Sequence, residues 1–134
     1  MDAKNKNGPL KGLIVIDLTR VLAGPYASMI LSDLGARIIK VEPPLGDDSR
    51  EFSPFINNQS AYFASLNREK ESIKLDLKSE KDKLIFEELI KNADILLENY
   101  KPGTMEKLGY GYKSLSKKYP NLIYASCSGF GQTG

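Results

Sequence analysis

The chain has 134 residues, about the size of one ordinary domain, and its 19 basic and 17 acidic residues leave a formal charge of +2 with no histidine. The charges nearly cancel and form no basic stripe, which argues against nucleic acid. The missing histidine removes a Ser-His-Asp triad and any His metal ligand, and the single Cys127 can make neither an intramolecular disulfide nor a zinc site. No apolar run reaches the roughly 20 residues of a membrane span, and the start MDAKNKNGPLKG lacks an apolar signal core. The expectation is a soluble, cytoplasmic protein with no metal, membrane or nucleic-acid partner.

The first element is GLIVIDL (12–18), a nearly continuous run of branched apolar residues that predicts a parallel strand covered on both faces. A helix over 24–35 follows, with Gly24 as N-cap, Pro25 at its first position and Gly35 placed to end it in the left-handed conformation. RIIKVE (37–42) reads as a second strand stopped by Pro43 and Pro44. The turn-rich stretch 43–60 is too long for an idle connection, so it is expected to be a functional or a mobile loop. SIKLDL (72–77) alternates Ile73, Leu75 and Leu77 against Lys74 and Asp76, a third strand with one wetter face.

Ser79 and Asp82 have the spacing of a capping box for a helix through about Asn92, with Ile85/Leu89 and Phe86/Ile90 at i, i+4. ADILLE (93–98) is a fourth strand. Thr104 is placed to cap a short helix ended by Gly109, a further helical piece lies near 113–118, and LIYAS (122–126) is a fifth strand. Strands alternating with helices predict an α/β fold with a doubly wound, mostly parallel sheet.

In such sheets ligands bind beyond the carboxyl ends of the strands. The segments that follow the strands are Thr19 to Pro25, Glu42, Lys78, Asn99-Tyr100-Lys101 and Ser128-Gly129. They supply donors and a lysine suited to an anionic ligand. The terminal GFGQTG (129–134) has the G-x-G-x-x-G spacing of a dinucleotide fingerprint. It follows the fifth strand rather than the first, whose own turn TRVLAGP holds one glycine, so a nicotinamide reading is weak.

GLIVIDLTRVLAGPYASMILSDLGARIIKVEPPLGDDSR, YFASLNREKESIKLDLK, ADILLENYKPGTMEKLGYGYKSL and LIYASCSGFGQTG, in that order, together resemble the N-terminal part of family III coenzyme A transferases. The resemblance implies a Rossmann-like large domain, residues 1–134 being its N-terminal part, with the small domain and the remainder absent from this chain. It implies transfer of CoA from an acyl-CoA to a carboxylic acid through an aspartyl-CoA thioester and mixed anhydrides. In that family CoA is held by positions matching Val21, Leu22 and Ala23, by Leu75 and Lys78, by Asn99 and Tyr100, and by one near Lys107. Lys78 would meet a phosphate as a point charge, and Tyr100 would offer a flat surface to adenine or the pantetheine arm. The resemblance also implies an interlocked homodimer.

Some members carry a basic residue where this chain has Pro43, and some have glutamine where it has Leu22. The nucleophilic aspartate of the family lies further on, so no catalytic residue is expected here. Asp17, Asp33, Asp47 and Asp48 are read as structural or solvated, and Cys127 as a core residue without a base to activate it. Tyr110, Tyr112 and Tyr119 are read as packing residues, and Arg20 and Arg50 as forks able to reach a carboxylate or phosphate. Two alternatives stand beside transfer: an α-methylacyl-CoA racemase, which shares this N-terminal architecture, and a non-catalytic CoA-binding module. The long YFASLNREKESIKLDL segment and VEPP favour transfer.

Overall fold

The computed structural model describes residues 7–133; the first six residues, half of the segment read for a signal, and Gly134, the last glycine of GFGQTG, lie outside them. Five strands form one all-parallel sheet: β1 (Ile14–Asp17), β2 (Arg37–Glu42), β5 (Glu71–Lys74), β6 (Ile95–Glu98) and β7 (Ile123–Ser126). Their order is β5-β2-β1-β6-β7, so the chain winds outward from β1 in one direction and then returns to continue in the other. β1 is the pivot, with Val15 paired to Ile38 on one side and to Ile95 on the other.

Each face carries its own apolar layer. On one, Ile16, Leu96 and Val41 pack with Phe86 and Ile90 of α3 (Glu80–Lys91), Met105 of α4 (Thr104–Lys107) and Leu115 of α5 (Tyr112–Lys118). Phe86 is fully buried and meets Tyr110 edge to face at 4.8 Å, so truncating it to alanine is expected to cost about 3–5 kcal/mol. On the other face Val15, Ala36 and Ile38 are covered by Leu10, Leu13 and Leu31, the last on α1 (Ala23–Asp33).

The stretch between β2 and β5 is ordered. It holds a 3-10 helix (Asp48–Glu51), a hairpin of β3 (Phe55–Ile56) and β4 (Gln59–Ser60), and α2 (Ala61–Asn67), which packs on α1. Helix α2 has no sequence expectation behind it, because seven residues are too few to show a 3.6-residue stripe. Its one local signal is Ser60, whose Oγ caps the helix by accepting from the Phe63 N–H at 3.1 Å.

Several boundaries differ from expectation. The third sheet strand ends at Lys74, not 77, because the Asp76 carboxylate accepts from the Lys78 N–H at 2.9 Å and folds the chain into an Asx turn. Leu75 and Leu77 are buried just beyond it. The first strand begins at Ile14, since Gly12 adopts φ +94° in a turn. Leu22 rather than Gly24 is the N-cap of α1, and Gly103 rather than Thr104 that of α4. Ser79 is an N-cap without a side-chain bond, and Asp82 accepts from the Asp76 N–H at 2.8 Å instead of closing a capping box. Gly35 does follow α1 with φ +104°.

Candidate functional site

The winding reverses between β1 and β6, and the crevice beyond their carboxyl ends is where an open α/β sheet binds its ligand. Two loops meet there. The Arg20 N–H donates to Asn99 Oδ1 at 2.9 Å, and Asn99 Nδ2 donates to the Arg20 carbonyl at 2.8 Å. Arg20 also lies over the Tyr100 ring, 5.4 Å from its centroid, and 3.4 Å from the Asp48 carboxylate.

Immediately after Arg20 the chain takes a conformation that its sequence disfavours. Val21 has φ +69°, a genuine outlier for a β-branched residue and one that stores roughly 1–3 kcal/mol. Its N–H is held by Asp47 Oδ1 at 3.3 Å. The turn then enters α1 at Leu22 and Ala23, both exposed, and the first intrahelical bond runs from the Tyr26 N–H to the Leu22 carbonyl at 2.8 Å. Gly24 follows because nothing larger fits: a Cβ there would lie 2.3 Å from Thr19 Cβ.

A buried polar network lies beneath this turn. Asp17 Oδ1 accepts from the Thr19 N–H and hydroxyl, and its Oδ2 accepts from Ser28 Oγ at 2.5 Å. Lys70 Nζ reaches the same Oδ2 at 3.2 Å and also meets Ser28 Oγ, Asn67 Oδ1 and the Pro25 carbonyl within 2.9 Å. Burial pushes the Lys70 ammonium below the usual lysine range, with Asp17 opposing the shift. Lys40 Nζ donates to the Thr19 carbonyl at 2.7 Å and pairs with Asp47 Oδ2 at 2.8 Å. The side chains of Asp17, Asp47, Lys40 and Lys70 are sealed from solvent. Buried pairs of this kind add little net stability but penalise any conformation that separates them.

Glu42, at the end of β2, anchors the outer side of the network. Arg50 grips it as a fork, Nε to Oε2 and Nη2 to Oε1 both at 2.7 Å, while Ser72 Oγ and the Asp47 N–H donate to it as well. Burial alone would raise the Glu42 carboxyl; the donors outweigh it and hold the group down to about 2. Asp47 is lowered in the same way, by Lys40 and Ser49 against its own burial. The Arg50 guanidinium stacks on Phe63 of α2 at 3.8 Å.

Of the residues expected to bind CoA, Val21, Leu22 and Ala23 directly follow Arg20, whose backbone and guanidinium meet Asn99 and Tyr100. Tyr100 is half-buried, and its phenol is pushed up by burial, with Arg20 opposing the shift. Lys78 is exposed after β5, two strands from β1, and Lys107 is exposed at the end of α4. The Leu75 side chain is in the core, and its N–H donates to the Glu42 carbonyl at 2.9 Å.

Sequence reasoning placed Glu42 at the ligand-binding edge but passed over Lys40 and Lys70 as site components. Its signal was a lysine inside RIIKVE, a strand buried on both faces that has no place for an unpaired charge. Arg20 and Arg50 do meet carboxylates, those of Asp48 and Glu42 within the chain. Cys127 is a correction: it is exposed, because only its backbone joins the sheet, through a bond from its N–H to the Glu98 carbonyl at 2.9 Å. Tyr112 is also largely exposed, with only an edge contact to Tyr124. Residues 129–133 form turns after β7, with Gly131 at φ +74°, and no helix opens there as a fingerprint would require. Among the described residues no group of three His, Cys, Asp or Glu side chains could hold a metal ion, and no helix is long and apolar enough to cross a membrane.

Comparison with known proteins agrees with this fold. The acetyl-CoA:oxalate CoA-transferase of Acetobacter aceti is 58% identical over 128 residues, covering 95% of this chain and 33% of that protein. The succinyl-CoA:glutarate CoA-transferase of Mus musculus is 49% identical over 94% of this chain and 29% of its own length. A crystal structure of a CAIB/BAIF family protein from Brucella suis superposes with a TM-score of 0.89 at 44% identity, covering 96% of this chain and 35% of that one. The chain thus spans about a third of the length of the relatives it matches. The model of CoA-transferase family III matches residues 10–134, and the chain belongs to that family.

Proposed function

We propose that this chain supplies the CoA-binding edge of an enzyme that moves CoA from an acyl-CoA to a carboxylic acid. The observation that carries the reading is the crevice beyond the carboxyl ends of β1 and β6, where Arg20, the residue before the Val21-Leu22-Ala23 turn, is pinned to Asn99 at the point where the winding reverses. The N-terminus of α1, with the partial positive charge of the helix dipole, favours an anionic ligand. Lys78 and Lys107 offer exposed charge at the same end of the sheet, and Tyr100 offers a ring to adenine or pantetheine. The relatives named above are transferases, which favours transfer over racemisation.

The chemistry needs a carboxylate that attacks the thioester carbonyl, expels the CoA thiolate and forms a mixed anhydride. The thiolate then adds to the enzyme's carboxyl carbon and releases the donor acid, and the acceptor acid repeats the sequence in reverse. Asp17 and Asp47 are sealed and committed to Lys70 and Lys40, so neither reaches a substrate. Asp33 and Asp48 sit in exposed pairs with Arg68 and Arg20. The resemblance to the family implies that the nucleophilic aspartate lies further along than these residues, so the chain alone is expected to bind CoA weakly and transfer nothing. As a whole protein it is read as a cytoplasmic homodimer with a second, smaller domain.

Calorimetric titration of CoA into the wild-type chain and Lys78→Ala, beside a transfer assay with a panel of acyl-CoAs, tests both halves. Lys78→Ala is expected to weaken binding several-fold, and more at low salt than at high. An unchanged affinity refutes the phosphate contact, and turnover by the isolated chain refutes the missing nucleophile.

A further inference from the structure

We propose that Asp47 is a positioning residue for the CoA site: with Lys40 behind it, its carboxylate holds Val21 in the left-handed conformation that turns the chain from β1 into α1. This rests on the functional reading above, and it assigns a role to a residue that does not face the ligand.

The geometry makes Asp47 the fixed point of the turn. Its Oδ1 accepts from the Val21 N–H at 3.3 Å, from the Ser49 N–H at 2.9 Å and from Ser49 Oγ at 2.7 Å. Its own N–H is tied to Glu42 Oε2 at 2.8 Å, and Lys40 Nζ stands 2.8 Å from Oδ2. Water cannot substitute, since the Asp47 and Lys40 side chains are 0% and 1% exposed. Lys40 secures the other end of the same turn through the Thr19 carbonyl at 2.7 Å. A valine released from such a hold relaxes to negative φ, because its branched Cβ disfavours the left-handed region. Leu22 and Ala23, which lead from it into α1, would then leave their present positions.

A pairing that served only to stabilise the fold would not depend on the residue at 21. A positioning role does, because glycine adopts positive φ without strain. The experiment is a titration of isotopically labelled chain with CoA by NMR, reading affinity from shift changes and the Val21 backbone angle from its HN–Hα coupling.

Asp47→Asn keeps an oxygen able to accept from Val21 and is expected to bind within about twofold of wild type. Asp47→Ala is expected to lose about tenfold, with the Val21 coupling moving to its negative-φ value. In a Val21→Gly background the same Asp47→Ala change is expected to lose only about twofold relative to Val21→Gly alone. Where Asp47→Ala unfolds because Lys40 is left unpaired, Lys40→Met/Asp47→Ala removes both charges and takes its place. The proposal is overturned if Asn and Ala at 47 lose affinity equally, if the Ala variant binds as wild type does, or if its loss is undiminished with glycine at 21. Failure of the wild-type chain to bind CoA overturns the functional reading instead, and the Val21 coupling then decides by itself whether Asp47 holds the turn.

Discussion

Asn99 satisfies both backbone hydrogen-bonding groups of Arg20 at once, accepting from its N–H at 2.9 Å and donating to its carbonyl at 2.8 Å. A single side chain here does the work of a strand neighbour between segments 79 residues apart. It joins the two loops just beyond the paired ends of β1 and β6. Asn99→Ala is expected to destabilise the chain by about 1–3 kcal/mol, because both Arg20 groups lose a partner in a half-buried place. Asn99→Asp keeps the acceptor and loses the donor, so it is expected to fall between wild type and alanine in urea unfolding. Equal stability of all three would show that the bridge contributes nothing.

Gly24→Ala sets two effects against each other. Alanine favours a helix interior over glycine by about 1 kcal/mol, yet its Cβ would lie 2.3 Å from Thr19 Cβ, and Thr19 is itself fixed by Asp17. The clash is expected to win, with a net loss of about 1–3 kcal/mol and a weaker CoA titration, both read on the purified variant.

Acid should unfold the chain partly through Glu42. Its carboxyl is depressed from 4.5 to about 2 in the folded chain, so its contribution is complete above about pH 4.5 and is lost as pH falls through about 2. Glu42→Gln is expected to flatten the stability profile within that window and to lower stability at neutral pH. The neutral-pH loss should fall short of the roughly 3–5 kcal/mol of a fully buried broken pair, because the Arg50 side chain remains 38% exposed and can rehydrate. Circular dichroism across the pH range, on both proteins, gives the comparison.

Cys127 should react with a thiol reagent in the folded chain at a rate close to that in denaturant, since it is exposed after β7. Protection by tenfold or more would mean that the segment is covered in solution.

The strand pattern was legible because four strands are largely apolar runs and the third alternates, and the parallel winding follows from the helices between them. What stayed hidden depends on contacts distant in sequence. The left-handed angle of Val21 has no local signature; valine is among the last residues to predict it, and it exists because Asp47, 26 residues away, accepts its N–H. Helix α2 and the hairpin before it were masked in the same way, held by Ser60 reaching the Phe52 carbonyl at 2.6 Å and by Arg50 on Phe63. The loops after β1 and β6 were found from topology alone, yet nothing in ENYKPG announces that its asparagine bonds the Arg20 backbone.

The order of strands across the sheet also dictates an order in time. β1 and β2 pair across one helical connection, whereas β6 must be brought from 80 residues further along to meet the other edge of β1, and such distant pairing is slow to form. A chain emerging from a ribosome would thus assemble its β1-β2-β5 half while the crevice has only one wall. The Arg20 amide should gain protection with β6 rather than with β1 in pulsed hydrogen exchange during refolding, and protection arriving together with Val15 and Ile16 would contradict that sequence of events. Until β6 arrives and Asn99 takes up the Arg20 backbone, a compact polypeptide would still lack the crevice proposed for CoA.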